Sequence, residues 1–573
     1  MKLKWTKFLS IILCLCLMIP IVALTACGED KNVTVIYVTN FNGGVGTKWF
    51  DNAAERFKEK VKGVSYEDGK TGVRFEVNET MYINAENAKT DGTSMYFTQN
   101  SQNVITLSQK GLLLDITDIV TEPIEEDGRS IEDKLQADNK GFFMRDGKYY
   151  GLPHYEIYSG LSYDVDLFNE YDLYFASVET GNAVQAFPTD YGIGYFVKKV
   201  NDPLNPNNKI MSKKSCGPDG VFNTKDDGLP SSLSELIILC AKMDTYNIQP
   251  ITGSGMYFTT YSSHLNCGIW TALAGKEQMR SNFTFNGEVE VVTGYSTQNA
   301  FEGINYIKKP ITEKITLTEA TGYKSYDMVS RYYSHAFFEI AMREGWLSND
   351  ISTPTVSHTG SQRNFIFSGI DDMPKVGMLV EGSYWYNESE DVNNFVDYTR
   401  YTRNEHRNVA WMPLPVNVTE PVTEGNGRKT TFLDVSSTSC FINAEVAKNP
   451  GLEKACKDFM KFLFTDAELS HFTEESGCAK PMNYELLPED YNSLSPYFRS
   501  LWDLRKESDV VLQYGENNAF RGNRSDLLIY CDTPICQPMG YRSLWMGLKD
   551  GKTAQELFEG SRRTAAQWEK FID

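Results

Sequence analysis

The sequence predicts an α/β protein divided into more than one domain, and three observations lead to this prediction. First, a chain of 573 residues with 41% hydrophobic composition can bury a large core and exceeds the length of one typical domain. Second, residues 33–77 carry a strand–helix–strand pattern. Third, the segment 147–168 shows neither strand nor helix periodicity throughout, and we interpret it as a crossing between two α/β lobes.

The strand–helix–strand pattern at 33–77 predicts a parallel sheet covered by helices. The β-branched run at 33–38 is typical of a buried strand. The next apolar residues recur every four positions, which predicts a helix with one apolar face: Trp49, Ala53, Phe57 and Val61. Alternating apolar residues at 73–77 then predict a second strand, and a helix between two strands is typical of a βαβ unit.

Later elements have clear start signals. Val376–Val380 is typical of a buried strand, and Asn449 followed by Pro450 predicts a helix N-terminus. Three capping boxes predict further helix starts: Ser232–Glu235, Thr465–Glu468 and Thr553–Glu556.

The crossing segment 147–168 is rich in residues that can face a ligand. It holds five Tyr, three Gly, Pro153 and His154. Pro153 restricts the local backbone and biases Leu152 toward an extended conformation. Polar aromatic residues along such a backbone suit a path between two lobes.

The N-terminus predicts export. Three lysines precede an apolar run at 8–24, which is the layout of a secretory leader. Residues Leu24-Thr25-Ala26-Cys27 follow and resemble a bacterial lipobox, so we expect a leader over 1–26, lipidation of Cys27 and a tether over 27–32. The alternative is a plain signal anchor, because the apolar run is nearly long enough to span a bilayer.

The net charge narrows the possible partners, and the cysteine count bears on possible disulfides. The formal net charge is −20, which argues against nucleic acid and anionic lipid as partners. Eight cysteines remain after removal of the leader and the anchor residue: Cys216, Cys240, Cys267, Cys440, Cys456, Cys478, Cys531 and Cys536. Outside the cell they permit disulfides, and buried thiols are the equal alternative.

A loop at 217–228 is dense in oxygen-bearing side chains. Its candidate calcium ligands are Asp219, Asn223, Asp226 and Asp227. The spacing departs from that of an EF-hand, and an ordinary turn-rich surface loop is the alternative. We expect no cofactor other than this structural calcium.

Taken with these features, the chain resembles the extracellular solute-binding lipoproteins of carbohydrate ABC importers. The resemblance rests on the lipobox and on five internal segments: 147–168, 219–230, 377–385, 411–415 and 458–477. It implies a two-lobe, periplasmic-binding-protein-like α/β fold with a multi-segment hinge and a ligand cleft between the lobes.

The resemblance also implies a division of the chain and a role. We expect lobe one at 33–150, lobe two at 153–430, a return to lobe one at 431–485 and a helical tail on lobe two at 486–573. The implied role is that of a monomeric binding protein rather than an enzyme. It would be held at the outer face of the cell membrane by its lipid and would pass a carbohydrate to an ABC permease.

Candidate ligand contacts follow from how a sugar is bound. Aromatic rings stack on its C–H face, and carboxylates and amides bind its hydroxyls. The predicted contacts lie at strand ends and on the crossing, with two less well placed residues added: Asn42, Gly43, His154, Tyr155, Glu156, Glu381, Trp385 and Trp411, then Asn100 and Trp270. These residue types also have alternative roles: a Trp can belong to the core, a Glu can be an ordinary exposed carboxylate, and a His can line the crossing.

Two other functions stay open. A lipid-anchored glycan-active enzyme would need two carboxylates about 5 to 10 Å apart, and no motif places such a pair. The sequence has neither a Gly-x-Ser-x-Gly elbow nor a His-Glu-x-x-His motif. The other alternative is a binding protein for a peptide or another non-sugar solute, whose site more often needs an Arg for a ligand carboxylate.

Overall fold

The computed structural model describes residues 32–79, 83, 85–99, 102–202, 205, 208–403, 406–434, 438–512, 541 and 543–572. The predicted leader, Cys27, Asn100, Cys531 and Cys536 lie outside the described residues.

The described strands are β1 Thr34–Asn40, β2 Val73–Asn78, β3 Met95–Gln99, β4 Pro123–Ile124, β5 Arg129–Ser130, β6 Met144–Arg145, β7 Lys148–Tyr149, β8 Leu152–Pro153, β9 Ser159–Asp164, β10 Val184–Thr189, β11 Gly192–Val197, β12 Lys199–Asn201, β13 Lys209–Met211, β14 Ile248–Thr252, β15 Gly287–Phe301, β16 Ile304–Leu317, β17 Lys375–Gly382, β18 Val409–Met412, β19 Thr431–Asp434, β20 Thr438–Ile442 and β21 Asp509–Leu512.

The described α-helices are α1 Lys48–Lys60, α2 Asn87–Thr90, α3 Gln102–Gln109, α4 Thr117–Thr121, α5 Ile131–Lys134, α6 Ala137–Phe143, α7 Val165–Glu170, α8 Leu233–Thr245, α9 Phe258–Thr284, α10 Val329–Arg343, α11 Asn349–Ser352, α12 His358–Ile366, α13 Trp385–Asp391, α14 Asn394–Thr402, α15 Pro450–Phe462, α16 Asp466–Ser476, α17 Pro488–Ser493, α18 Pro496–Glu507, α19 Leu544–Lys549, α20 Ala554–Gly560 and α21 Ala565–Ile572. Two 3-10 helices span Glu319–Asp327 and Ala444–Lys448.

The first lobe is built on a sheet with strand order β2-β1-β3-β20-β8. β1 pairs in parallel with β2 and β3, as the strand–helix–strand pattern predicts. β20 comes from much later in the chain and runs antiparallel between β3 and β8. Helix α1 buries the predicted face of Trp49, Ala53 and Phe57, and the chain therefore leaves this lobe and returns to it.

The second lobe is built on a sheet with strand order β14-β17-β9-β18. β14 and β17 are parallel, and β9 is antiparallel to both β17 and β18. The predicted capping box at Ser232 begins α8, which packs against β14. Helix α9 crosses this lobe and contacts β9 and β17.

Three chain segments lie side by side where the lobes join. The chain passes from the first sheet to the second between Pro153 and Ser159. The second passage runs from β18 through β19 to β20, and Tyr158 forms a β-bridge with Asp434. The third passage contains β21, which pairs in parallel with β19. The N–H of Glu156 donates to the carbonyl of Ala479 at 2.8 Å, so the segments also support one another.

The C-terminal helices pack on the second lobe. The ring centroid of Trp545 lies 5.0 Å from that of Phe258, and that of Trp568 lies 5.3 Å from that of Phe285. The N–H of Ala554 donates to the Glu339 carboxylate at 2.6 Å. These contacts attach residues 544–572 to lobe two.

The described cysteines are buried free thiols: Cys216, Cys240, Cys267, Cys440, Cys456 and Cys478. For these residues the buried-thiol alternative is therefore confirmed. Among the residues that the structure describes, no helix combines the length and the apolar character needed to cross a membrane.

Candidate functional site

The site lies where the carboxyl ends of the parallel strands of both lobes face each other. β1 and β3 end at Asn40 and Gln99, and β14 and β17 end at Thr252 and Gly382. Ligands of open α/β sheets bind at this edge because the loops that follow the strands meet there. The two lobes are in direct contact at this edge through the loop 42–46.

Gly43 and Gly44 form the lobe-one side of this contact. Their φ angles are 57° and 83°, which suit glycine. A β carbon at Gly43 would lie 2.4 Å from the Tyr155 hydroxyl oxygen, and one at Gly44 would lie 2.4 Å from Cδ2 of Tyr384. Glycine is therefore required for the close approach of both tyrosines.

Asn42 shapes this loop from within. Its Oδ1 accepts hydrogen bonds from the N–H groups of Gly44 at 3.2 Å and Gly46 at 3.1 Å. The Asn42 side chain thus fixes the loop backbone, and Gly43 lies beside Tyr155. The amide of Gln99 donates to the Tyr155 hydroxyl at 3.3 Å and completes the lobe-one side.

Two carboxylates form the lobe-two side. Glu381 stands at the end of β17, and Glu388 lies on the following helix α13. The Gln362 amide joins them, because its Nε2 donates to Glu388 at 2.8 Å and to Glu381 at 3.3 Å. Ser389 Oγ donates to the Gln362 carbonyl at 2.9 Å, which fixes the orientation of the amide.

Burial and mutual repulsion raise the pKa values of the acidic groups here. Burial and the charge of Glu388 raise the pKa of Glu381 well above its ordinary value, against hydrogen bonds from Gln362 and Gly382. Burial also raises the pKa of Glu388. The pKa of Tyr384 is raised by burial and by both carboxylates, and that of Tyr261 by burial and by Glu381. The ionised form of these carboxyl groups is therefore unfavourable at this site, and hydrogen-bond donors of a ligand can stabilise it.

Glu156 lies in the hinge and is committed to an ion pair. Its carboxylate accepts from Arg505 Nε at 2.7 Å and Nη2 at 3.0 Å, and from Tyr158. The side chain of Glu156 is fully buried. Our prediction that Glu156 faces the cleft is thus corrected, because its carboxylate is already engaged by the Arg505 guanidinium in the hinge.

His154 lies inside the core of lobe one. Its ring centroid is 4.9 Å from that of Trp49 and 5.6 Å from that of Phe472, and its backbone carbonyl accepts from Lys480 at 2.9 Å. Burial and the charge of Lys480 lower the His154 pKa well below its ordinary value. This corrects the prediction that His154 reaches the cleft, because its aromatic neighbours enclose it.

The three predicted tryptophans are core residues. Trp270 and Trp385 are fully buried, and Trp411 is 3% exposed. Trp385 Nε1 donates to Ser162 Oγ at 2.8 Å, and Trp411 packs on Gly160. The aromatic residues that contact the Gly43–Gly44 loop or the Glu381 carboxylate are instead tyrosines, so the tryptophans do not take the predicted place in the cleft.

The carboxylates of the loop in which we predict calcium make local hydrogen bonds to the backbone. Asp226 Oδ2 accepts from the N–H of Asp219 at 2.9 Å, and Asp227 Oδ2 accepts from the N–H of Asn223 at 2.8 Å. Within the described ranges, no group of three or more His, Cys, Asp or Glu side chains could hold a metal ion. The carboxylates thus stabilise a tight turn, and calcium binding stays a prediction.

The structure therefore brings together Asn42, Gly43, Tyr155 and Glu381 from the sequence-based set. It adds residues that the sequence reasoning did not select: Gln99, Tyr261, Gln362, Tyr384 and Glu388. Two spacing patterns in the sequence could have identified three of these residues, Tyr261, Tyr384 and Glu388. Tyr384 and Glu388 follow the strand-end Glu381 at helical spacing, and Tyr257, Tyr261 and His264 share that spacing after β14.

Comparisons with known proteins define the class of fold. No protein-family model and no curated protein sequence matches the chain. A solved chitin oligosaccharide binding protein is similar at 13% identity and a TM-score of 0.52, over 95% of this chain and 100% of that one. The predicted two-lobe, periplasmic-binding-protein-like fold is thereby confirmed.

A second solved structure is named for binding protein MsmE of Bacillus subtilis subsp. subtilis str. 168, in an open conformation. It is 10% identical with a TM-score of 0.48, over 95% of this chain and 98% of that one.

Proposed function

We propose that this protein binds an extracellular carbohydrate, an oligosaccharide, between its two lobes and delivers it to a membrane ABC permease. The interlobe surface carries the proposal, because Tyr155, Tyr261 and Tyr384 stand there beside Glu381 and Glu388. Tyrosine rings suit the C–H faces of a sugar, and carboxylates and amides bind its hydroxyls. The likeness to a chitin oligosaccharide binding protein supports a carbohydrate as the ligand.

The same geometry explains how binding can be signalled. A ligand held between Tyr155 on the hinge and Glu381 on lobe two also touches the Gly43–Gly44 loop of lobe one. Such a ligand favours the closed arrangement by its higher affinity for that arrangement. The closed form is then the species that the permease recognises.

The lipobox supports attachment of the monomeric protein to the outer face of the cell membrane through Cys27. Replacing Cys27 with Ala should release the protein from the membrane fraction of producing cells. Retention of the variant in that fraction would favour the signal-anchor alternative.

The carbohydrate proposal is tested on the leaderless protein with a thermal-shift panel of mono- and oligosaccharides and of peptides. A ligand at about 100 times its Kd should add roughly 2.7 kcal/mol to the free energy of unfolding. Stabilisation by peptides and by no glycan would contradict the proposal. Formation of a cleaved glycan product would support the enzyme alternative instead.

A further inference from the structure

The first turns of α9 carry a row of ring side chains that leads away from the interlobe site. Tyr257 is the N-cap residue of α9, and Tyr261 and His264 follow at spacings of four and three residues, so the three rings lie along one side of its first turns. The ring centroids of Tyr257 and Tyr261 are 6.2 Å apart, and those of Tyr261 and His264 are 6.4 Å apart. We call these three residues the α9 ring row.

The inner part of the row belongs to the interlobe site. Tyr261 is half-buried, and its hydroxyl interacts with Glu381 and Tyr384. His264 Nδ1 lies 3.1 Å from the hydroxyl of Ser159, the first residue of β9 after the crossing. The row is therefore anchored at the hinge and at the carboxylates.

The outer part of the row is open to solvent. Tyr257 is 43% exposed and its neighbour Met256 is 49% exposed. The ring centroid of His358 lies 5.6 Å from that of Tyr257. A tyrosine ring exposed next to a buried recognition site is available for stacking by a ligand that extends beyond that site.

We propose that the α9 ring row is an extended subsite for a linear oligosaccharide, an inference that rests on the proposed function. The terminal sugar unit lies at Glu381, Glu388 and Tyr384. The next units leave the interlobe site along Tyr261 and stack on Tyr257 at the rim of lobe two. Because the centroid of the Tyr257 ring lies 6.2 Å beyond that of Tyr261, only a ligand of more than one unit reaches Tyr257 from the carboxylates.

The test compares ligands of increasing length. Calorimetry measures the affinities of the wild type and the Tyr257→Ala variant for mono-, di-, tri- and tetrasaccharides of the chitin, cellulose and starch series. The expected result is an unchanged affinity for the shortest glycan that binds and a loss of about tenfold for the longer ones, since one aromatic contact is removed. The melting temperature without ligand should be unchanged, because Tyr257 is exposed.

The matched control is Tyr195→Ala. Tyr195 is 42% exposed on β11, outside the row, and its removal should leave the affinity for every length unchanged. An equal loss for all lengths in Tyr257→Ala, or no loss for any, overturns the subsite. Failure of every glycan to bind the wild type removes the proposed function as well, and that outcome is distinct because it requires no variant.

Discussion

Gly44 of lobe one lies directly against the ring of Tyr384 of lobe two, close enough that a β carbon at position 44 would come within 2.4 Å of Cδ2. The two lobes therefore meet through a backbone on one side and an aromatic ring on the other. Nearby, Tyr384 interacts with Glu381 and Glu388. The contact between the two lobes therefore lies beside these two carboxylates.

Replacing Gly44 with Ala should weaken glycan binding by about tenfold or more, roughly 1.4 kcal/mol. The new methyl group clashes with Tyr384 and holds the lobes apart. Calorimetry measures the affinity, and small-angle X-ray scattering with saturating ligand measures the closure. Gly46→Ala is the control, because Gly46 has a similar φ of 76° with no atom within 4 Å of its β carbon. Equal losses in both variants would assign the effect to backbone strain alone.

Replacing Arg505 with Met should lower the free energy of unfolding by about 3 kcal/mol, since it leaves the buried Glu156 carboxylate without its cation. Chemical denaturation measures the change. Lys506→Met serves as the control, because Lys506 pairs with Glu485 on the surface and should contribute no more than about 0.5 kcal/mol. Similar values for the two variants would show that the Arg505–Glu156 pair does not stabilise the hinge.

The Glu381→Gln variant should change how stability depends on pH. The unfolded carboxyl titrates near its ordinary value of about 4.3, whereas the folded one titrates at a higher pH. Between these values the folded state binds more protons, so the free energy of unfolding of the wild type falls as pH rises. Relative to the wild type, Glu381→Gln should therefore become more stable as the pH rises from about 4.5 toward the raised pKa of the folded Glu381 carboxyl.

Denaturation curves across this pH range provide the measurement. Glu55→Gln is the control, because the Glu55 side chain is 72% exposed on α1. A constant difference between Glu381→Gln and the wild type at every pH would mean that Glu381 does not titrate differently on folding.

Trp385→Phe should lower the free energy of unfolding by about 2 kcal/mol and leave glycan affinity within twofold. The substitution removes the hydrogen bond to Ser162 and part of a buried ring. Denaturation and calorimetry on the same preparation measure the two effects. A large loss of affinity with little loss of stability would show that Trp385 contributes to the ligand site.

Some of the fold could be predicted because its signals are local. The β-branched run before α1, the Ser232 capping box and the Asn449–Pro450 start each act within a few residues, and the structure has all three. Glu381 could be selected for the site because a strand end and a glycine turn are also local features. The chain segments that build the hinge followed from the resemblance and not from any one pattern.

The sequence by itself thus determined several strands, helix starts and strand-end loops, since hydrogen bonds and side-chain periodicity within one segment fix them. Only the tertiary structure decided which aromatic and acidic residues face the site. The buried Trp385 donates its hydrogen bond to Ser162, which is 223 positions away in the chain. The Glu156 carboxylate is paired with Arg505, which is 349 positions away. Burial and charge pairing depend on partners that no local pattern specifies, and tyrosines rather than tryptophans therefore face the site between the lobes.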